Sequence, residues 1–334
     1  MTGTGAMPDT LRWGILGTGS IATQFTRDLI DSGFTVTAVG SRSQGSADGF
    51  AARFGIPTAH ASYELLAADP DVDVIYVSTP HPLHFDNTTL ALGAGKHALV
   101  EKPFTMDASQ ARQLLELATE RNLVLLEAMW TRWLPHMVRV REIIAAGTIG
   151  DVRTLIADHN QLLPKDPGSR WRNPDLGGGA LLDLGIYPVS FAWDLFGEPT
   201  SISAIATMTE TDVDRQTAIL LGYAGGQQAV LHTALDSPGP NHASILGTEG
   251  RIEIDSVWYM PTTFTVYDST GEPIEHFGAP VASRGMQFQA IALEAIVASG
   301  RLEGAELPPS ESVAIMGTLD EIRGQIGLRY PGDR

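Results

Sequence analysis

The stretch Leu11-Arg12-Trp13-Gly14-Ile15-Leu16-Gly17-Thr18-Gly19-Ser20-Ile21-Ala22 decides the architecture of this chain. Its first half is apolar on successive residues, the pattern of a parallel strand buried on both faces. A glycine turn follows, and then a helical pattern from Ile21 to Ser32. Residues 17–22 read G-x-G-x-x-A, the fingerprint of a dinucleotide-binding turn. Gly17 permits the tight bend, Gly19 lets the backbone approach a pyrophosphate, and the small Ala22 lets helix and strand pack closely. The backbone from Gly17 through Thr18, Gly19 and Ser20 to Ile21 then offers the anion a helix N-terminus. The competing reading is a structural glycine turn. The place of the motif, ahead of further strand–helix units, favours the cofactor.

Outward from this stretch, FTVTAVG from Phe34, VDVIYVST from Val72, KHALVE from Lys96 and LVLLEA from Leu123 repeat the strand pattern. Predicted helices over 46–54, 88–94 and 108–121 separate them. Strand and helix taking turns implies right-handed βαβ units and a doubly wound parallel sheet. Past residue 130 the pattern changes. A helix is predicted over 135–145, and Thr-, Val- and Ile-rich runs follow, from IGDVRTLIADHNQ to TFTVYDS, separated by Gly, Pro and Asp turns. Their rough alternation of polar and apolar residues predicts an open-faced, mostly antiparallel sheet. One helix over 180–196 interrupts it, and helices over 286–299 and 310–326 close the chain. The fold class is α/β plus α+β, with domains over 11–130 and 131–334. The first ten residues, MTGTGAMPDT, read as a short disordered leader.

A chain of 334 residues suits two domains better than one core. Its net charge of −17 opposes a nucleic-acid backbone or an anionic membrane as partner, since both repel it at long range. The chain has no cysteine, which excludes disulfides, thiolate nucleophiles and Cys-based metal sites. No apolar run reaches the roughly 18 residues that span a bilayer. The leader lacks a basic n-region, an apolar h-region and a twin arginine, so the expected location is cytoplasmic.

The end of the second predicted strand separates the two nicotinamide cofactors. An NAD site usually carries Asp or Glu there to bind the ribose 2′-OH. This chain reads Gly40-Ser41-Arg42-Ser43. No carboxylate repels a 2′-phosphate, and Ser41, Arg42 and Ser43 can each bind one, so NADP(H) is expected in preference to NAD(H). Alone, Arg42 reads as a solvated arginine at a loop start.

Two more segments sit at carboxyl strand ends, where such sheets bind ligands: Ser78-Thr79-Pro80-His81-Pro82-Leu83-His84 and Glu101-Lys102-Pro103. A lysine beside a cationic nicotinamide has its ammonium form disfavoured by a like charge, which suits it to proton transfer. Taken alone, Lys102 reads as a surface lysine. Asp183 and Tyr187 lie four apart in a helical segment, share one face and can point into one cleft. Alone, they read as a turn carboxylate and a core tyrosine. His81, His84 and His159 show no metal-ligand spacing, so no metal is expected.

G-x-G-x-x-A at 17–22, T-P-x-x-x-H at 79–84, E-K-P at 101–103 and D-x-G-x-Y at 183–187 together resemble the glucose–fructose oxidoreductase / inositol dehydrogenase / rhizopine-catabolism (Gfo/Idh/MocA) family over 11–331. His81-Pro82-Leu83-His84, Glu127-Ala128-Met129-Trp130-Thr131-Arg132, the run from Gly177 to Pro188 and the tail from Leu319 to Gly327 are similar to its dimeric dihydrodiol dehydrogenase branch. The resemblance implies an NADP(H)-binding Rossmann domain and a second, substrate-binding and oligomerisation domain. It implies hydride transfer between nicotinamide and a small sugar, polyol or vicinal diol, with Lys102 as the catalytic lysine. Tyr187 then stands where inositol-type members carry histidine, and Asp183 faces the substrate hydroxyls.

Thr79, Pro80, His81, His84, Glu101, Glu127, Trp130 and Arg172 are expected around the cofactor. The commonest family pattern has Asn after T-P; His81 takes that place, to touch nicotinamide or substrate or to stabilise the loop. For Trp130, Arg132, Arg170, Trp171 and Arg172, phosphate binding, substrate stacking and salt bridging all stay open. The resemblance also implies a homodimer or homotetramer through the strands over 201–254. Two other readings compete, an NAD-dependent redox-assisted glycosidase and a non-catalytic NADP(H) sensor. The enzyme reading expects the amine of Lys102 and the phenol of Tyr187 to meet beside the reactive ring carbon.

Overall fold

The opening strand is β1 (Arg12–Leu16), buried over its last four residues, and α1 (Ser20–Asp31) follows with Ala22, Phe25 and Leu29 turned inward. A computed structural model describes residues 11–333, so the leader expected over 1–10 lies outside the described residues. The alternation continues with β2 (Thr35–Gly40), α2 (Gln44–Phe54), β3 (Thr58–His60), α3 (Tyr63–Ala67), β4 (Val74–Val77), α4 (His84–Gly93), β5 (His97–Val100), α5 (Ala108–Arg121) and β6 (Leu125–Glu127). These strands pair in parallel in the order β3-β2-β1-β4-β5-β6. The order reverses between β1 and β4, which places a ligand crevice at their carboxyl ends.

The successive apolar residues are what this sheet buries. All four residues of β4 are inside, and Phe25 packs on Tyr76 and Trp13 with ring centroids 4.0 and 5.6 Å apart. Each large apolar side chain so buried contributes about 1.5–3 kcal/mol. β3 and α3 escape a sequence reading because three and five residues are too short to show a period.

After α6 (Pro135–Ala145) comes the second sheet: β7 (Val152–Asn160), then α7 (Ile186–Phe196), β8 (Ser201–Met208), β9 (Asp214–Gly222), β10 (Gln228–Ala234), β11 (Ala243–Gly247), β12 (Gly250–Ile254), β13 (Phe264–Asp268) and β14 (Pro273–Phe277). Their order is β14-β13-β12-β11-β7-β10-β9-β8. Only the β7–β10 pair is parallel, so the mostly antiparallel sheet expected from the alternation is present. α8 (Gln287–Ala298) and α9 (Pro309–Ile326) complete the chain.

The chain divides into two compact units. Among the described residues, one takes in the chain up to Phe104, Gln110–Ala128 and Met286–Ser310; the other takes in Thr105–Ser109, Met129–Gly285 and the chain from Glu311 on. This differs from a single cut after residue 130, because α8 returns to the first unit. There Glu294 Oε1 accepts from Trp13 Nε1 at 2.8 Å, and Asp28 Oδ2 accepts from the Met286 amide at 2.9 Å. No described helix is long and apolar enough to cross a membrane.

Candidate active site

In the first unit the glycine turn joins β1 to α1. Gly17 has φ of +110°, and a Cβ on it would lie 2.9 Å from Ser78 Oγ, so no other residue fits. Its amide donates to the Gly40 carbonyl at 3.0 Å, tying the turn to the end of β2. Gly19 differs. It caps α1 in extended backbone with no side-chain cap, and a Cβ there would meet nothing within 4 Å. Nothing in the protein requires glycine at that point. A Cβ would only fill the open space over the N–H groups of α1, and the first turn of α1 carries no acidic residue to repel an anion. A pyrophosphate fits this cradle.

At the end of β2, Ser41 is buried, with Oγ 3.4 Å from Thr18 Oγ1, and Arg42 is exposed and hydrogen-bonded to the Tyr63 phenol. Ser43 Oγ accepts from the Ser46 amide at 3.3 Å as the N-cap of α2. Of the three residues expected at a 2′-phosphate, Ser43 therefore has its oxygen engaged in starting a helix.

The two loops beyond β4 and β5 are stitched together by His84. Its ring nitrogens lie 2.9 Å from the carbonyls of Thr79 and Pro103. Two acceptors favour a doubly protonated ring, yet complete burial, the largest effect, and the charge of Lys102 push its pKa below the usual histidine range. Asn87 Nδ2 donates to Thr79 Oγ1 at 3.1 Å, and the His81 ring packs edge-on to His84 with centroids 5.7 Å apart.

Glu101 and Glu127 are buried, and both brace the backbone around Lys102. Glu101 accepts a short hydrogen bond from the Tyr76 hydroxyl and one from the Lys102 amide at 3.3 Å. Glu127 Oε1 accepts from the Phe104 amide at 3.0 Å. Lys102 itself is part-exposed and joined to Pro103, which borders the Thr79–His84 loop, by a cis peptide.

In the second unit Tyr187 is buried, and its hydroxyl accepts a hydrogen bond from Trp130 Nε1 at 3.0 Å. The ring faces two groups that the sequence did not connect with it, His159 at 4.9 Å and Tyr259 at 5.4 Å between centroids. His159 stacks on Tyr259 at 3.7 Å and its Nε2 accepts from Gln161 Nε2 at 2.8 Å. Burial pushes the Tyr259 phenol well above its ordinary value. The Arg284 guanidinium lies 5.2 Å from the Trp130 ring centroid. His159 stood out in the sequence only as a metal candidate, and nothing local marks Gln161, Tyr259 or Arg284.

Asp183 is buried, and Arg170 reaches it with Nη2–Oδ2 at 3.3 Å. Asp183 and Tyr187 do not share a plain α-helix as expected. Leu181–Gly185 forms a turn of π-helix, and α7 continues from Ile186. Such wide turns recur at functional sites. Arg172, expected near the cofactor, is buried and ion-paired to Glu210 at 3.2 Å, and its carbonyl accepts from Thr211 Oγ1. Arg132 is likewise engaged, by Ser190, Asp194 and Glu311.

Comparison with known proteins places this geometry. Residues 11–129 match the model described as "Oxidoreductase family, NAD-binding Rossmann fold", and residues 137–253 match the GFO/IDH/MocA C-terminal domain. The mouse trans-1,2-dihydrobenzene-1,2-diol dehydrogenase is 37% identical over 97% of this chain and 99% of its own length. The D-xylose 1-dehydrogenase (NADP(+)) of Hypocrea jecorina is 37% identical over 97% of this chain and 94% of its own. Among solved structures, KijD10, a 3-ketoreductase from Actinomadura kijaniata in complex with NADP and TDP-benzene, superposes with a TM-score of 0.84 at 30% identity, covering 95% of this chain and 98% of that one. With the glycine cradle, the six-stranded parallel sheet and the mostly antiparallel sheet in hand, the chain belongs to the Gfo/Idh/MocA family of NAD(P)-binding oxidoreductases.

Proposed function

We propose that this oxidoreductase transfers a hydride between NADP(H), in preference to NAD(H), and the hydroxyl or carbonyl of a small sugar, polyol or vicinal diol, with Lys102, Tyr187 and Asp183 acting on the substrate. The observation that carries the reading is the bond from Trp130 Nε1 to the Tyr187 oxygen. The indole N–H occupies a lone pair of the phenol, so the phenol's own O–H is the proton turned toward other partners. When bound, the cofactor supplies the hydride acceptor or donor. The chain must then remove a hydroxyl proton in the oxidising direction and deliver one in the reducing direction. Tyr187 and Lys102 are the groups of this chain suited to that exchange, the free amine or phenolate taking the proton and the ammonium or phenol returning it. Asp183 orients the hydroxyls as a hydrogen-bond acceptor, with Arg170 holding its carboxylate.

The preference for NADP(H) rests on Ser41 and the exposed Arg42 at the end of β2, and relatives named for NADP support it. A structure of the related ketoreductase with one tyrosine replaced by phenylalanine, and others with one lysine replaced, support attention to these two residue types. The chain works in the cytoplasm, where nicotinamide pools are held, and as at least a dimer through the open face of the second sheet.

The test is absorbance at the reduced-nicotinamide band with a panel of aldoses, polyols and vicinal diols. Lys102→Met and Tyr187→Phe should each lower kcat by about 10²–10⁴-fold while cofactor binding, read by quenching of protein fluorescence, is kept. If the two residues serve one proton transfer, the double variant loses little more than the worse single one. A Lys102→Met enzyme as fast as wild type would refute the assignment.

A further inference from the structure

Asp214 opens β9 and is completely buried. Its Oδ2 accepts hydrogen bonds from the Leu181 amide at 2.8 Å and from Thr217 Oγ1 at 2.7 Å. Leu181 begins the π-turn that carries Asp183 and leads into Tyr187. The carboxylate thus sits at the positive end of this helical segment and satisfies one of its orphan N–H groups. Tyr330 holds the same segment from another side, its hydroxyl donating to the Gly178 carbonyl at 2.6 Å.

The glycines between these two anchors leave no slack. A Cβ on Gly179 would run into Asp214 Oδ1 and lie 3.2 Å from the Tyr330 hydroxyl. One on Gly178 would lie 2.8–2.9 Å from the carbonyls of Trp171, Arg170 and Asn173. The segment is clamped against its neighbours by backbone contact, and the carboxylate is part of the clamp.

Burial raises the Asp214 carboxyl to about 6 against the hydrogen bonds that lower it. Folding therefore favours the protonated form, and stability falls as pH rises from the ordinary carboxyl value toward 6. The Tyr330 phenol, facing it, is pushed up by burial and by the Asp214 charge. Above pH 6 the carboxylate is ionised, and the Leu181 amide and Thr217 hydroxyl are the donors it then holds.

We propose that Asp214 is a positioning residue for the reaction: by gripping the Leu181 amide it sets the height and rotation of the turn that carries Asp183 and Tyr187. The inference rests on the reading that those two residues act on the substrate. Its test uses the full chain with NADP(H), comparing Asp214→Ala and Asp214→Asn by kinetics, cofactor binding, thermal melting and hydrogen–deuterium exchange of residues 178–187.

Asparagine keeps an oxygen for the Leu181 amide and removes the charge; alanine removes both. Asp214→Ala should exchange faster across 178–187 and lose about 10- to 100-fold in kcat, the cost of a small misplacement, with NADP(H) affinity unchanged. Asp214→Asn should exchange like wild type, keep kcat within about threefold, and melt no lower than wild type at pH 8. A purely structural role would move the melting temperature and leave the kcat of the folded enzyme alone. Unchanged exchange in the alanine variant, or an asparagine variant as slow as alanine, overturns the proposal.

Should Asp214→Ala fail to fold, Thr217→Val removes the second donor to the same oxygen. It should then raise exchange at Leu181 and lower kcat severalfold; wild-type values of both overturn the inference. Raised exchange with wild-type kcat would mark a purely structural role and overturns the inference too, while Tyr187→Phe assayed in parallel checks the assignment of Tyr187 independently.

Discussion

Arg42 is the side chain to which the proposed preference for NADP(H) assigns the 2′-phosphate. It stands exposed where β2 ends, bonded to the Tyr63 phenol, beside a buried Ser41 and an open helix N-terminus. A charge-assisted hydrogen bond to a 2′-phosphate is worth about 1.5–3 kcal/mol, and NAD has no such group to accept it. Arg42→Ala should raise KM for NADP(+) by about 10- to 100-fold and leave KM for NAD(+) nearly unchanged, as steady-state kinetics with both cofactors would read. Equal losses with the two cofactors would count against the role. The identity of this arginine was legible in the sequence. The engagement of its neighbour Ser43 in capping α2 was not, because only the folded backbone shows which donor a serine oxygen meets.

α6 shows how an element is pinned in a way that responds to pH. His136, at its first turn, is buried, and its Nε2 lies 2.9 Å from the Trp258 carbonyl, to which the neutral ring donates. Burial lowers its pKa from 6.5 to about 4. A depressed folded value means that the unfolded chain takes up the proton first as pH falls. The stabilisation is complete above 6.5 and is lost as pH falls toward 4, for a total on the order of 3 kcal/mol. Denaturant midpoints at pH 7 and pH 4.5 should therefore differ more for wild type than for His136→Gln. The comparison isolates the histidine from Asp214, whose raised value acts in the opposite sense. A variant with the same pH slope as wild type would contradict this account. Helix positions such as 108–121 and 135–145 were readable from period and proline placement. The π-turn at Leu181–Gly185 was not, since Asp214 and Tyr330 hold its approach from distant parts of the chain.

For the molecule as a whole, the open face of the second sheet carries the case for assembly. Ile156, Val230 and Leu220 are each about half exposed, at 46%, 45% and 46%, on β7, β10 and β9. Register puts Val230 directly opposite both Ile156 and Leu220, so the three form one apolar row across three strands. Such a row suits the proposed dimer, in which a second copy would cover it. A twofold pairing of this face with itself satisfies the geometry of a dimer. Val230→Lys places like charges opposite one another across that axis and should shift the mass in solution, read by light scattering, from at least a dimer toward the monomer. A wild-type monomer would overturn the assembly.

The turn at 17–22, the parallel strands around it and the alternating second sheet could all be read from residue order, because glycine sterics and hydrophobic period act between neighbours in the chain. Lys102, Asp183 and Tyr187 were marked in the same way by short motifs. The wall around Tyr187 was not, since His159 and Gln161 arrive with β7 and Tyr259 with the loop after β12. Asp214 and Tyr330 reach Leu181 and Gly178 across 33 and 152 residues of chain. Contacts of that range depend on strand register and on how buried groups find partners, and these are settled only when the segments pack together.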